Sequence, residues 1–231
     1  GTDTNTTSLS DGSTDLDLFL DNLVEDVDLN QSIKYIISGN VTIDGGWQLK
    51  ILSLDYREFF AGQKVTSIQS QPEIFSSFIN VTVKPLPIFY INTGLRVSKY
   101  NRYDDIIINP TLGIKYNPTS DLALKASIGR YSQFLYTVNQ EEELLRIVDF
   151  WQPIPEGEKP QEADHLILGG EYWVSTGNTF SLETYYKSYS SIYDLNPAPD
   201  YANIETTFAL PGTAKAYGIE FLYRFHKDKM N

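Results

Sequence analysis

The sequence predicts an all-β fold, an antiparallel up-and-down meander of about 9–10 strands that forms part or all of a transmembrane-type β-barrel. Three observations predict it. Apolar and polar residues alternate with a period of two along most of the chain. The composition includes 16 Tyr and 12 Phe but one Met, and aromatic residues favour strands. Short connections alternate with long ones, as in a meander whose two ends serve different purposes.

The first 26 residues are predicted to be an acidic, polar arm or loop. Eight acidic residues and no basic ones occur within the first thirty positions. The start, residues 1–5, has neither the basic nor the apolar segment of a signal peptide. Within this arm, residues 15–20 alternate leucine with polar or aromatic residues and are a candidate for an extra strand.

From residue 27 to residue 225 the period-two pattern dominates. In residues 47–60 it is less regular, because the apolar positions change parity between Ile51 and Leu52, as a β-bulge would cause. A short polar tail, residues 226–231, follows the last strand. Nine segments are predicted strands: 27–43, 47–60, 75–83, 89–97, 106–116, 122–128, 166–174, 180–186 and 217–225.

The connections between these strands alternate in length. Successive connections of an antiparallel meander lie at opposite ends of the sheet, so one end would carry turns and the other would carry loops. Outer-membrane barrels have this arrangement, whereas a soluble sandwich with Greek-key crossovers has no reason for it. The predicted turns are 44–46, 84–87, 117–121 and 175–178, and the predicted longer connections are 61–72, 101–105, 135–164 and 190–213.

Composition excludes several classes of function. The chain has no Cys, two His and a formal net charge of −12. Disulfides, thiolate metal sites and cysteine nucleophiles are therefore excluded, a histidine metal cluster is implausible, and nucleic acid is not an expected partner. No stretch approaches the ~18 apolar residues of a transmembrane helix. We predict no cofactor and no metal.

Motifs occur in three consecutive predicted strands. Residues 91–100 contain Gly94-Leu95-Arg96, residues 109–116 follow, and residues 124–135 contain Gly129-Arg130-Tyr131. They resemble consecutive barrel strands of the TonB-dependent outer-membrane receptors. Further segments with the same resemblance, in the family's order, are 149–153, 159–165, 168–171, 183–187 and 216–220.

The resemblance implies a bacterial outer-membrane receptor for energised uptake of a scarce nutrient, such as an iron chelate, a vitamin or a glycan. Its partners would be outer-membrane lipid, the nutrient, and a TonB complex acting through a plug domain. This chain shows no plug domain, TonB box or C-terminal aromatic residue, and its strands are far fewer than the ~22 of plugged transporters. We interpret it as a middle segment of the barrel. Its two unpaired edges would favour closure or self-association.

No catalytic motif occurs in the sequence, and we predict that the chain is not an enzyme. Asp164 and His165 are neighbours, but neighbouring residues of a strand point to opposite faces. Candidate ligand contacts are the loop aromatics Tyr136, Trp151, Tyr193 and Tyr201. The alternative function is a soluble β-barrel or sandwich that encloses a small molecule between its apolar strand faces. The substrate does not follow from the sequence.

Overall fold

The computed structural model describes residues 2–9, 18–138, 150–175, 177–196 and 209–225. No helix in these ranges is long and apolar enough to cross a membrane. The strands are β1 Thr2–Leu9, β2 Leu18–Ser38, β3 Val41–Phe60, β4 Gln63–Ser70, β5 Glu73–Leu86, β6 Phe89–Tyr100, β7 Ile107–Thr119, β8 Leu122–Gln133, β9 Leu135–Val138, β10 Phe150–Pro153, β11 Gln161–Ser175, β12 Asn178–Leu195 and β13 Ala209–Phe225.

One antiparallel sheet contains all of these strands except β9 and β10. Its order is β1-β2-β3-β5-β6-β7-β8-β11-β12-β13, with β4 paired to the distal part of β3. Within the described residues β1 and β13 are the two edges, so the sheet is not closed. The predicted up-and-down meander and partial barrel are confirmed. Each of the nine predicted strands overlaps a strand of this sheet, and the predicted strand 27–43 runs through the turn at 39–40 into β3.

The two ends of the sheet differ. Short connections join β2 to β3, β5 to β6, β7 to β8 and β11 to β12, and in an antiparallel meander all four lie at one end, here called the turn end. The remaining connections lie at the opposite end, here called the loop end. Along the main path of the sheet the predicted alternation of connection length is therefore present, with β4 inside the connection from β3 to β5 and with β9 and β10 inside the connection from β8 to β11.

One predicted turn is wrong. Residues 44–46 lie inside β3, and the chain reverses instead at Gly39 and Asn40. Apolar positions keep the same parity across this two-residue turn, so the sequence pattern shows no break there. Gly46 permits a close approach of β2 and β3, because a Cβ at this position would overlap the carbonyl oxygen of Gln31 and lie 2.9 Å from the Cα of Ser32.

The expected bulge between Ile51 and Leu52 is also absent. β2 and β3 keep an unbroken register there, with Val27 opposite Ile51 and Asp26 opposite Leu52. The parity of the apolar residues changes because the buried face changes. Up to Ile51 the apolar side chains of β3 point to one face, whereas Leu52, Leu54 and Tyr56 are buried on the other.

Several segments predicted as connections are strands. β1 and the first part of β2 occupy much of the predicted arm, because backbone pairing with β3 extends to Leu18 opposite Phe60. The candidate strand at 15–20 is partly the start of β2, and residues 10–17 lie outside the described residues. Most of the predicted loop 61–72 is β4, joined to β3 by Ala61 and Gly62, both with positive φ. Residues 226–231 are also outside the described residues.

The outer face of the sheet is apolar and exposed. One row of register partners runs across five strands, with residues of neighbouring strands directly opposite each other. In water, a partner would have to cover such an apolar face, whereas in a membrane lipid solvates it. On β11, the outer-face residues from Leu166 to Val174 span a length that matches the ~9–11 residues of a transmembrane strand. The row consists of Leu112, Ile128, Leu166, Tyr186 and Tyr217.

Candidate functional site

The hairpin of β9 and β10 lies across the opposite, inner face at the loop end. Its strands pair with each other from Leu135–Pro153 to Val138–Phe150 and with no strand of the large sheet among the described residues. β10 contacts β2 and β3, while β9 contacts β12. These strands are near opposite edges of the sheet, so the sheet curls around the hairpin.

The hairpin closes the main hydrophobic cluster of the molecule. Tyr100 is fully buried, and its hydroxyl donates a hydrogen bond to the carbonyl of Ile154 at 3.2 Å. The amide of Ile154 in turn donates to the carbonyl of Phe134 at 3.0 Å. The buried members of this core cluster are Leu52, Leu54, Tyr56, Ile68, Ile74, Tyr100, Ile107, Tyr136, Ile154, Tyr193 and Ala209.

Two of the predicted ligand residues meet in this cluster. The rings of Tyr136 on β9 and Tyr193 on β12 are 5.8 Å apart between centroids. The Tyr193 hydroxyl donates to the carbonyl of Lys159 at 2.8 Å. Burial raises the pKa of both phenols above the ordinary tyrosine value, because a phenolate loses hydration in this environment.

The other two predicted residues are placed differently. Trp151 lies on β10, in register with Thr137, and 37% of its surface is exposed. It is therefore accessible at the loop end. Tyr201 lies outside the described residues.

A larger cavity opens on the inner face below the hairpin. Its volume is about 390 Å³, and its polar groups come from β5, β6, β7 and β8. Aromatic rings form the rest of its wall. The lining residues used below are Phe78, Asn80, Arg96, Asn109, Tyr131 and Phe134.

Arg96 is the principal charged group of this cavity. Its guanidinium donates to the side-chain oxygen of Gln48 and lies 6.0 Å from the ring centroid of Phe78. Gln48 donates to Asp28 at 2.6 Å. The network reaches from β6 across β5 to β3 and β2, so Arg96 is held by hydrogen bonds and cation–π attraction.

Sequence reasoning does not bring the cavity residues together as a site. Arg96 and Tyr131 lie in the two motifs that resemble barrel strands, and the motifs by themselves indicate only a barrel wall. The signal that could have found them is the register: Arg96 is opposite Asn109, and both side chains are on the polar face. Tyr131 packs against His165 with ring centroids 4.8 Å apart.

The charged residues near Asp164 form ion pairs. Arg130 contacts both oxygens of Asp164, at 2.8 and 3.0 Å, and Glu162 at 3.3 Å. His165 instead packs between Tyr131 and Tyr189. No group of three or more potential metal-ligating side chains converges within the described ranges.

Aromatic side chains line the outer face at the turn end. Phe89 stacks on Tyr116 at 4.5 Å, and Phe180 stacks on Tyr223 at 4.7 Å. Tyr172 is the register partner of Phe180. An apolar band bordered by aromatic rings is typical of the interfacial girdle of a transmembrane barrel.

A comparison with models of protein families shows to which family the chain belongs. The family model described as TonB dependent receptor-like, beta-barrel matches residues 1–227. The chain belongs to the TonB-dependent receptor β-barrel family. The family consists of transport receptors, and its characterised homologues are outer-membrane proteins. A comparison with curated protein sequences found no match.

Solved structures with the same fold include TonB-dependent receptors of low sequence identity. The match to the ferric yersiniabactin uptake receptor FyuA from Yersinia pestis covers 99% of this chain and 36% of the receptor chain, with a TM-score of 0.68 and 14% identity. The match to the siderophore receptor PirA from Pseudomonas aeruginosa covers 95% of this chain and 42% of the receptor chain, with a TM-score of 0.62 and 15% identity. The match to the RagAB peptide importer covers 92% of this chain and 29% of the importer chain, with a TM-score of 0.58 and 12% identity. The chain thus spans between 29% and 42% of the length of these three proteins.

Proposed function

We propose that this chain is the middle part of the barrel of an outer-membrane receptor that takes up a scarce nutrient. One observation carries the proposal: the outer face is apolar, while the inner face has a polar, aromatic-lined cavity beneath the loop-end hairpin. This arrangement suits a wall with lipid outside and a hydrated solute inside. A soluble binding module would place its apolar strand faces in the interior.

The proposed partners follow from the wall's position. Outer-membrane lipid would contact the apolar face, and a plug domain coupled to a TonB complex would contact the inner face. The unpaired edges of β1 and β13 would pair with further strands of the receptor, or with a second copy of the chain.

A ferric chelate is the substrate class we favour over a vitamin, a glycan or a peptide. Arg96 supplies positive charge, and Phe78, Tyr131 and Phe134 supply ring surfaces, in one cavity. A chelate with anionic oxygen donors and planar rings complements both features. Similar structures include receptors named for ferric yersiniabactin and for siderophores, although the fold is shared with a peptide importer.

We propose Trp151 as the first of the loop aromatics to contact the ligand, because it is the most accessible of the three that the structure describes. Tyr136 and Tyr193 would act from below by positioning the hairpin that carries Trp151. Tyr201 remains a candidate contact in the connection between β12 and β13.

Tryptophan fluorescence tests this assignment directly. The receptor containing this chain would be titrated in detergent with ferric citrate, a ferric catecholate and, for comparison, a mixed peptide pool. We expect saturable quenching by a ferric chelate that largely disappears in Trp151→Phe and persists in Trp173→Phe, since Trp173 is at the turn end. Arg96→Gln should weaken the affinity by about tenfold, the loss of one charge-assisted contact.

Two results would contradict the proposal. Quenching by the peptide pool and by no ferric chelate would exclude ferric chelates as the substrate class, but it would still agree with a receptor function. Absence of binding by every probe, together with failure of the receptor to partition into outer membranes, would exclude the function itself. Uptake of radioactive iron that stops on addition of a protonophore would show that transport is energised.

A further inference from the structure

A second, much smaller cavity lies inside the core cluster and is separate from the larger cavity that Arg96 lines. Its volume is about 20 Å³, and it shares no lining residue with the larger one. Three different loop-end elements enclose it: β4 contributes Ser70, the connection after β6 contributes Arg102, and the hairpin contributes Tyr136 and Gln152.

Two buried donors in this cavity have no acceptor. The Nε of Arg102 and the Nε2 of Gln152 are both buried without a hydrogen-bond partner. Gln152 is 3% exposed. The opposite side of the Arg102 guanidinium is occupied, since Nη1 donates to the Ser70 hydroxyl at 2.6 Å. Within the described part of the chain, no carboxylate lies at ion-pair distance from Arg102.

Two unpaired hydrogen-bond donors are costly in a buried site. Arg102 as a residue is only partly buried, but its Nε atom is buried, and its charge has no carboxylate at ion-pair distance among the described residues. The two donors line one cavity, so a single acceptor between them would relieve both costs. A water would accept the hydrogen bonds but would leave the guanidinium charge uncompensated, whereas an anion would satisfy both requirements.

The size of the cavity selects the anion. A volume of this order holds about one water-sized particle, so sulfate, phosphate and carboxylate groups with several heavy atoms do not fit. We propose that a chloride ion binds between Arg102 Nε and Gln152 Nε2. The ion connects β4, the connection after β6 and β10, and so holds the hairpin against the inner face of the sheet.

Thermal unfolding of the full chain in detergent micelles tests the site. The unfolding temperature would be compared in sodium chloride, bromide and gluconate at constant ionic strength. We expect a saturable rise of about 2–4 °C with either halide over gluconate, the shift that ~1 kcal/mol produces in a chain of this length. A crystal grown in bromide should show one anomalous peak between the two donors.

Variants separate this site from general salt effects. Gln152→Glu supplies a fixed carboxylate beside Arg102, so it should abolish the halide dependence while keeping the unfolding temperature in gluconate at or above that of the wild type. Arg102→Gln should abolish the dependence by removing the charge. Arg57→Gln is the matched control: Arg57 is paired with Asp55 at 3.1 Å and Asp21 at 3.6 Å, so its loss should leave the halide dependence intact.

Either of two outcomes would overturn the proposal. Equal unfolding temperatures of the wild type in halide and gluconate would mean that the cavity holds water only. A halide effect that survives in both Gln152→Glu and Arg102→Gln would place the ion elsewhere. Neither outcome bears on nutrient uptake, because the proposal does not depend on the receptor function.

Discussion

Tyr136 and Tyr193 pack with their ring centroids 5.8 Å apart and their planes at 42°. Tyr136 belongs to the loop-end hairpin, and Tyr193 to the distal end of β12, beyond the register shift that follows Tyr189. Their contact attaches the hairpin to the β12 side of the sheet, while β10 attaches to β2 and β3. The loop end is therefore a packed structure whose centre is this pair of rings.

Replacement of Tyr136 by alanine should release the hairpin. Tyr136 is 3% exposed, and truncation of a large buried aromatic residue costs about 3–5 kcal/mol. We expect a loss of that order in the free energy of unfolding by denaturant, together with faster proteolysis between β9 and β10. Tyr131→Ala is the control, because that ring is half exposed and lies outside the core cluster; equal losses for both variants would contradict a special role for Tyr136.

Stability should fall at high pH because the two phenols are buried. Burial raises the pKa of Tyr136 and Tyr193 in the folded state, whereas an unfolded tyrosine ionises near pH 10. Their contribution is therefore complete below about pH 10 and is lost as the pH rises from there toward the folded-state pKa. Denaturant midpoints measured across this range should decline less steeply in the double variant Tyr136→Phe, Tyr193→Phe. A slope identical to that of the wild type would show that other groups cause the decline.

The strands could be predicted from the sequence, because most of each strand carries apolar side chains on one face and polar side chains on the other. A period of two is then imposed on every strand. The turn at Gly39 and Asn40 escaped prediction because the apolar parity continues through it, and Asp44-Gly45-Gly46 has the composition of a turn. Gly46 is required by the close approach of a neighbouring strand, which is a long-range condition that local composition does not reveal.

The candidate site was predicted less completely than the strands. The described loop aromatics of the prediction lie at the loop end, but their burial depends on contacts between the hairpin and distant strands, which local sequence does not reveal. The parity change at Leu52 was the sequence signal for that contact. This parity change marks the point where β3 begins to bury side chains under the hairpin. Because the position of the hairpin does not follow from sequence spacing, the pattern alone is equally typical of a bulge.

Substitution of Gly46 tests the close approach of β2 and β3. A Cβ there would overlap backbone atoms of Gln31 and Ser32, which cannot move aside as a side chain can. We expect Gly46→Ala to destabilise the fold by about 1–3 kcal/mol, the usual cost of overpacking. At the true turn, a Cβ at Gly39 has no atom within 4 Å, so Gly39→Ala should change the denaturant midpoint little. The reverse order of the two effects would indicate that residues 44–46 form the turn after all.

Charge placed on the outer face should oppose insertion into a bilayer. Leu182 is 55% exposed on that face, opposite Phe221 of β13 and Gly170 of β11. An arginine at the lipid-facing midplane of a barrel costs about 2–4 kcal/mol. We expect Leu182→Arg to lower the stability of folding into phospholipid vesicles by this amount, measured by denaturant titration. Its neighbour Ser181 points to the inner face and lies opposite Glu171, so Ser181→Arg should be tolerated. If both variants insert equally well, the apolar face does not contact lipid, and the membrane position of this sheet would have to be abandoned.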